Sequence, residues 1–298
     1  MALCYIVLRG VMMKTGLIIE GGGMKCSYTA GILDQFLEEG LHFPYVIGVS
    51  AGAACAASFL ARQEDRNRRF FVEYAQDPRY LSFANFRKTG NYFGLKYIYG
   101  ELANSDGKDP LDYPAFMADD SEAYFVATDA ETGEPHYFSK SDVFQDDYRV
   151  FMASSAIPGA CKPVKIEDRL YFDGGVSDPL PVRTAVKMGC DRLVVLLCRP
   201  YTIVRTEQKV PFLFRRLIRK YPDVLEAIRY RHKYYNDSLQ LARKMEAEGR
   251  AFILSPSEEL PVTTYTTDPA LLQSIYETGV SDYNEKYEKL LSFLGNAG

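Results

Sequence analysis

Two places in the chain carry residues able to do chemistry together. The first is Gly48-Val49-Ser50-Ala51-Gly52, led in by the apolar run Tyr45-Val46-Ile47 and led out by the small residues from Ala51 to Ala57. That order reads as strand, tight turn, helix. A serine at such a turn is held in a strained backbone conformation that thrusts its hydroxyl outward, and glycines two positions to either side leave room for the crossing. Ser50 would also face the positive end of the helix dipole, which favours a developing oxyanion. The rival reading is a loop serine that caps a helix. The second place is Asp173-Gly174-Gly175, at the end of the run Arg169-Leu170-Tyr171-Phe172. A carboxylate at a strand end, followed by glycines, stands in a sharp turn without neighbouring bulk and can approach another catalytic group. An ordinary Asp-Gly turn is its plain alternative.

The elements that must position these residues begin upstream. Thr15-Gly16-Leu17-Ile18-Ile19-Glu20 suits a buried parallel strand and ends in Gly21-Gly22-Gly23-Met24-Lys25. A helix follows, with Tyr28, Ile32, Leu33, Phe36 and Leu37 at helical spacing and Gly40 placed to stop it. Strand, glycine loop and helix in that order aim free backbone N–H groups at an anion. The loop is not a P-loop, since no Gly-Lys-Ser/Thr follows. It is a poor dinucleotide fingerprint, because Cys26 occupies the third small-residue position and no acidic ribose ligand stands near Leu41 to Tyr45. An oxyanion hole fits: consecutive glycines donate N–H groups without side-chain obstruction, and Ser50 ends the next strand at the same sheet edge.

Arg62 to Arg69 reads as a solvated charge run, with Phe70, Phe71 and Tyr74 turning inward. The aromatic pieces Tyr80 to Phe83 and Tyr92 to Tyr99 are either core packing of a cap or an apolar wall for an acyl chain. Residues 123–128 and 135–138 form a hairpin, and His136 on its second strand reads as a satisfied sheet histidine. A helix near Tyr148 to Ser155 and the pair 164–166 and 169–172 precede the aspartate. Pro179 and Pro181 start a helix that Gly189 ends, and 191–198 is another buried strand. From Pro211, Phe214, Leu217, Ile218 and Tyr221 can share one helical face, with Arg215, Arg216, Arg219 and Lys220 on the other. This is a solvated face or a dock for anionic lipid headgroups. After Ser257 a polar turn and a helix over about 270–287 are expected.

A chain of 298 residues with 47% apolar content can bury a large core. Its net charge of −4 offers nucleic acid no global attraction, so none is expected as a partner. The six cysteines are scattered singly and only three histidines are present, which disfavours zinc and suits buried free thiols in a reducing compartment. The first residues are short for a secretory signal and lack its basic start, and no run reaches the ~18 apolar residues of a membrane span. The expected location is therefore cytoplasmic, with peripheral membrane contact through the basic helix.

Taken in order, Gly21 to Lys25, Gly48 to Gly52 and Asp173 to Gly175 resemble the motifs of the patatin-like phospholipase family. The resemblance runs from about 15 to 200 and includes Ser154-Ser155-Ala156-Ile157-Pro158. It implies an α/β fold, a three-layer α/β/α sandwich with a mainly parallel central sheet. It also implies a Ser-Asp dyad: Ser50 as nucleophile, Asp173 as its base, the backbone of Gly21, Gly22, Gly23, Met24 and Lys25 as oxyanion hole, and Gly48, Gly52, Gly174 and Gly175 as support. The implied reaction is hydrolysis of lipid acyl esters without metal or organic cofactor. Cys26 departs from the family glycine, which predicts an adjusted helix start with the hole retained. The expected division is a dispensable extension over 1–12, a catalytic domain over 13–204 that carries the resemblance, and a mostly helical extension over 205–298 packed on it and outside the resemblance. A carboxylate of pKa ~4 is a weak base for a serine hydroxyl, so the site must raise that pKa or move the proton late. Esters suit such a site better than amides. The alternatives are an acyltransferase using the same dyad, a catalytically silent lipid-binding protein, and a Ser50-Asp173-His232 triad in the chain order of an α/β-hydrolase.

Overall fold

The computed structural model describes residues 2–3, 5–8, 11–207 and 209–295. Its centre is a mixed sheet. The strands are β1 (Val11–Ile19), β2 (Tyr45–Val49), β3 (Glu122–Asp129), β4 (Pro135–Ser139), β5 (Val164–Ile166), β6 (Arg169–Asp173), β7 (Arg192–Leu196) and β8 (Ala251–Leu254). They lie in the order β8-β7-β1-β2-β3-β6-β5, parallel from β8 to β3 and antiparallel beyond, with β4 also paired to β3.

Alternation along the strands splits the core into layers. Leu17, Ile19 and Val46 face helices α1 (Ser27–Glu38), α2 (Ala51–Leu60) and α6 (Pro269–Gly295). Ile18, Ile47 and Val49 face α4 (Val182–Lys187) and α5 (Pro222–Ala247), while α3 (Arg149–Ser154) lies between β4 and β5 in the chain. Apolar strands covered on both faces are what a parallel block requires. Beside β1, residues Tyr5–Leu8 pair antiparallel with its start, so the first strand begins at Val11, earlier than the sequence suggests. Cys4 lies outside the described residues. The other cysteines are buried and free.

Two sequence expectations are corrected. The run Arg62 to Arg69 is not wholly solvated: Arg66 and Asn67 are buried, because the Arg66 guanidinium bonds Ser58 Oγ at 2.9 Å and the Asp109 carbonyl at 3.1 Å and stacks on Phe70. The basic stretch after Pro211 is not one amphipathic helix. A short helix over Phe212–Leu217 stops, and α5 starts afresh at Pro222, because proline fits a first helical turn and bars its predecessor from helical dihedrals. Tyr221 accordingly takes φ −123°. Among the described residues no helix is long and apolar enough to cross a membrane.

Candidate active site

The elbow after β2 has the geometry its glycines allow. Ser50 takes φ 56° and ψ −129°, a strained conformation that costs about 1–3 kcal/mol and must be enforced by its surroundings. A side chain at Gly48 would begin 2.6 Å from the Gly52 carbonyl oxygen, and one at Gly52 would begin 2.7 Å from that of Glu20. Helix and strand cross at contact distance here. The elbow is then pinned: Ser50 N–H donates to Ser154 Oγ at 2.9 Å, and Ser154 Oγ–H donates to the Val126 carbonyl at 2.6 Å. Ser154, at the end of α3, thus ties the Ser50 backbone to the neighbouring strand.

Sheet register brings the aspartate to the serine. Val49 pairs with Val126 across β2 and β3, and Asp173 pairs with Ala127 across β3 and β6. The two catalytic candidates therefore flank the same point on β3. Gly174 lets the chain fold back over that strand, since a side chain there would begin 2.1 Å from the Val126 carbonyl oxygen. Ser50 Oγ–H donates to Asp173 Oδ2 at 2.5 Å, and Gly175 N–H donates to Oδ1 at 2.7 Å. Asp173 N–H in turn donates to the Ala156 carbonyl, and Thr128 Oγ1–H to the Asp173 carbonyl. Burial pushes the Asp173 carboxyl above its ordinary range, against the opposing pull of the Ser50 hydroxyl, the Arg231 charge and the Gly175 amide.

The glycine loop lies across from the dyad. A side chain at Gly21 would begin 2.7 Å from Ser50 Cβ, so loop and elbow touch. Lys25 N–H bonds the Gly22 carbonyl and Met24 N–H the Thr264 carbonyl, each at 3.4 Å; among the described residues no protein group accepts from the amides of Gly22 and Gly23. Gly23 alone of this loop takes positive φ, 58°. Cys26 sits at φ −68°, closing a single 3₁₀ turn over Gly23–Cys26 before α1 begins, so its side chain carries no left-handed strain.

Beside Ser50 an apolar cavity is lined by Phe71, Tyr80, Phe93, Ile98, Tyr99 and Phe151, with the buried Arg66 also in its wall. The aromatic pieces of residues 80–99 therefore form a wall as well as a core.

The remaining polar candidates stand apart. His232, on α5, bonds neither Ser50 nor Asp173, and its Nδ1 is buried without a partner. His136 stacks against Phe138 and Tyr171 on β4, exposed. His42, Asp119 and Asp120 gather elsewhere, where Arg62 and Lys140 already address Asp119.

A family model described as patatin-like phospholipase matches residues 17–186, more than half of the chain. The chain belongs to the patatin-like phospholipase family. A second model, a domain of unknown function (DUF6363), matches residues 221–295. An uncharacterised protein of Escherichia coli, YjjU, is 28% identical over 89% of this chain and 75% of its own length. An uncharacterised NTE family protein of Mycobacterium tuberculosis is 24% identical over 61% of this chain and 48% of its own. The structure of VipD from Legionella pneumophila aligns over 96% of this chain and 67% of that chain, at 15% identity and a TM-score of 0.46.

Sequence reasoning missed what lies beneath the patatin-like loop. Glu20, fully buried at the end of β1, accepts from Arg199 Nε at 3.1 Å and from Arg205 at 2.7 Å through Oε1, and from Cys198 N–H at 3.0 Å through Oε2. One carboxylate thus neutralises two largely enclosed guanidinium groups. Replacing Glu20 with Gln leaves both without a counter-charge and is expected to destabilise the protein by about 3 kcal/mol. Urea unfolding of the two proteins measures it; an unchanged midpoint would show that the arginines find other partners.

Proposed function

We propose that the protein is a serine acyl hydrolase that cleaves carboxylic esters of lipids. Ser50 Oγ attacks the ester carbonyl while Asp173 takes its proton, and the amides of Gly22 and Gly23 receive the oxyanion. Collapse of the tetrahedral intermediate expels the alcohol, protonated by Asp173, and leaves the acyl group on Ser50. Water, deprotonated by the same carboxylate, then releases the fatty acid. The observation that carries this reading is the 2.5 Å contact between Ser50 Oγ and Asp173 Oδ2, beside amides with no protein acceptor. Further support comes from the apolar cavity that opens at the same hydroxyl.

A fluorophosphonate probe tests it. Labelling of the wild type at Ser50, absent from Ser50→Ala, together with fatty-acid release from p-nitrophenyl esters, is the expected result. No labelling of the folded wild type would leave a lipid-binding protein without catalysis.

The enzyme is further proposed to work at an anionic lipid surface. Phe212 is 80% exposed and Leu217 47% exposed on the short helix that also carries Arg215 and Arg216, with Arg219 and Lys220 just beyond. Apolar side chains among cations suit an interface with headgroups. Phe212→Asp is expected to reduce co-sedimentation with phosphatidylglycerol vesicles by about tenfold; equal sedimentation would remove this surface from consideration.

A further inference from the structure

The dyad opens onto a second cavity, opposite in character to the apolar one. Its lining includes Ser50 and Asp173 together with Lys25, Arg199, Arg205, Lys209, Arg231 and Glu259. Most of this charge is spoken for. Lys25 pairs with Glu259 at 3.5 Å, and Arg199 and Arg205 share Glu20.

Among the described residues Lys209 is unpaired but exposed, whereas Arg231 is unpaired and enclosed. Among them Arg231 makes no hydrogen bond and no ion pair within 4 Å, and its Nε is enclosed without an acceptor. Its Nη2 lies 3.2 Å and Asp173 Oδ1 3.0 Å from where a side chain at Gly175 would begin, which places the guanidinium beside the dyad. Burial and the neighbouring Arg205 and Arg199 draw its pKa down to about 10, while Asp173 and Glu20 hold it up. An enclosed arginine near two others, with no hydrogen bond or ion pair of its own, is costly by itself and favourable beside a bound anion. The anion's position follows from the layout. With the acyl chain in the apolar cavity, the alcohol of the bound ester is directed to the other side of Ser50, where Arg231 stands.

We propose that this second cavity is a phosphate subsite for the leaving group, with Arg231 of α5 as its main anion ligand. Alcohols that bear a phosphate are what the family's name already implies; beyond that, Arg231, outside the patatin-like match, selects esters with a phosphate a few bonds from the cleaved oxygen over esters of uncharged alcohols. The proposal rests on the hydrolase reading above. It gives the region over 221–295 a part in substrate choice: the segment that follows the patatin-like domain supplies the side chain that reads the alcohol.

A matched substrate pair tests it: 1-acylglycerol 3-phosphate and 1-acylglycerol of one chain length, in neutral detergent micelles. Wild type favours the phosphate ester in kcat/KM, Arg231→Gln shrinks that preference by about tenfold to a hundredfold, and Arg231→Lys keeps part of it. Among the described residues Arg231 bonds no protein group, but its charge helps to hold the Asp173 pKa down, so Arg231→Gln acts on the dyad for both substrates alike. The ratio of the two cancels that effect, and retained fluorophosphonate labelling confirms a folded site. An unchanged ratio in labelled Arg231→Gln overturns the proposal. If the ligand were free phosphate, inorganic phosphate would slow both substrates of wild type alike and the ratio would stay near one, which also overturns it. Calorimetric titration of glycerol 3-phosphate into Ser50→Ala, with and without Arg231→Gln, separates binding from catalysis. Binding that depends on Arg231 in a protein that never labels keeps the subsite and removes the hydrolase; labelling without such binding does the reverse.

Discussion

Replacing Asp173 with Asn is expected to lower kcat/KM for a soluble ester by two to four orders of magnitude, the range a positioned general base contributes. An amide fits the same space and can still meet Gly175 N–H and Ser50 Oγ, which keep their places 2.7 Å and 2.5 Å from the carboxylate oxygens. What it lacks is the ability to take the serine proton. No histidine stands by to take over, since His232 bonds neither residue. The pH profile carries a second signature. Only the ionised carboxylate is a base, so activity is present above the folded-state pKa of Asp173 and is lost as pH falls through it. Burial raises that pKa, which sets the acid limb above the ordinary carboxylate range. The same shift means the folded protein holds this proton more tightly than the unfolded chain. The group's contribution to stability is therefore greatest below its unfolded pKa and declines as pH rises through the folded one. A profile of kcat/KM on a soluble ester reads the first point, since wild type shows the raised limb and the residual activity of Asp173→Asn does not; urea unfolding across pH reads the second. Comparable activity in the variant at neutral pH would remove Asp173 as the base.

The parts of the site that could be read from sequence are those where backbone meets backbone. Gly48, Gly52 and Gly174 each stand where a side chain would begin less than 3 Å from a carbonyl oxygen of another element of the fold, so the spacing of glycines around Ser50 and after Asp173 registers tertiary contact directly. Strand and helix order is legible for a related reason, since continuous apolar runs such as Leu17 to Ile19 must be covered on both faces. Charge was harder to place. Arg199 and Arg205 meet Glu20 across 179 and 185 residues, and nothing in their local pattern separates them from solvated arginines. Arg66 looked like one member of an exposed run, yet its guanidinium lies under Phe70 and against Asp109. The strand Ala251–Leu254, four residues long, lacks the length for periodicity to declare it, although it completes the edge of the sheet. Thr264 belongs with these: its carbonyl receives the Met24 amide and its side chain covers Gly23, so a polar turn near the chain's end helps to shape the glycine loop.

Gly22→Ala should cost about a hundredfold in kcat, the effect of losing one oxyanion donor, and should be repaired by a second substitution. Gly22 has φ −170°, an extended value open to any residue, so conformational strain is not the obstacle. The obstacle is a single atom: the added methyl would lie 2.3 Å from Cys198 Sγ, with Lys25 Cβ at 3.3 Å. Cys198 is fully buried just beyond β7, its amide held by Glu20, and cannot retreat. The loop must lift instead, taking the Gly22 and Gly23 amides away from the place where the oxyanion forms. Trimming Cys198 to Ala removes the sulfur and leaves Cβ 3.6 Å from the new methyl, ordinary contact, so Gly22→Ala with Cys198→Ala should recover most of the lost rate. Gly21→Ala gives the contrast. Its methyl would meet the Val49 carbonyl oxygen at 2.5 Å and Ser50 Cβ at 2.7 Å, which no trimming of Cys198 relieves. A double-mutant cycle on kcat over Gly22 and Cys198 would therefore show strong coupling, and the cycle over Gly21 and Cys198 would show little. If Gly22→Ala alone kept full activity, the loop would have room to spare, and its amides would not be the donors that hold the oxyanion.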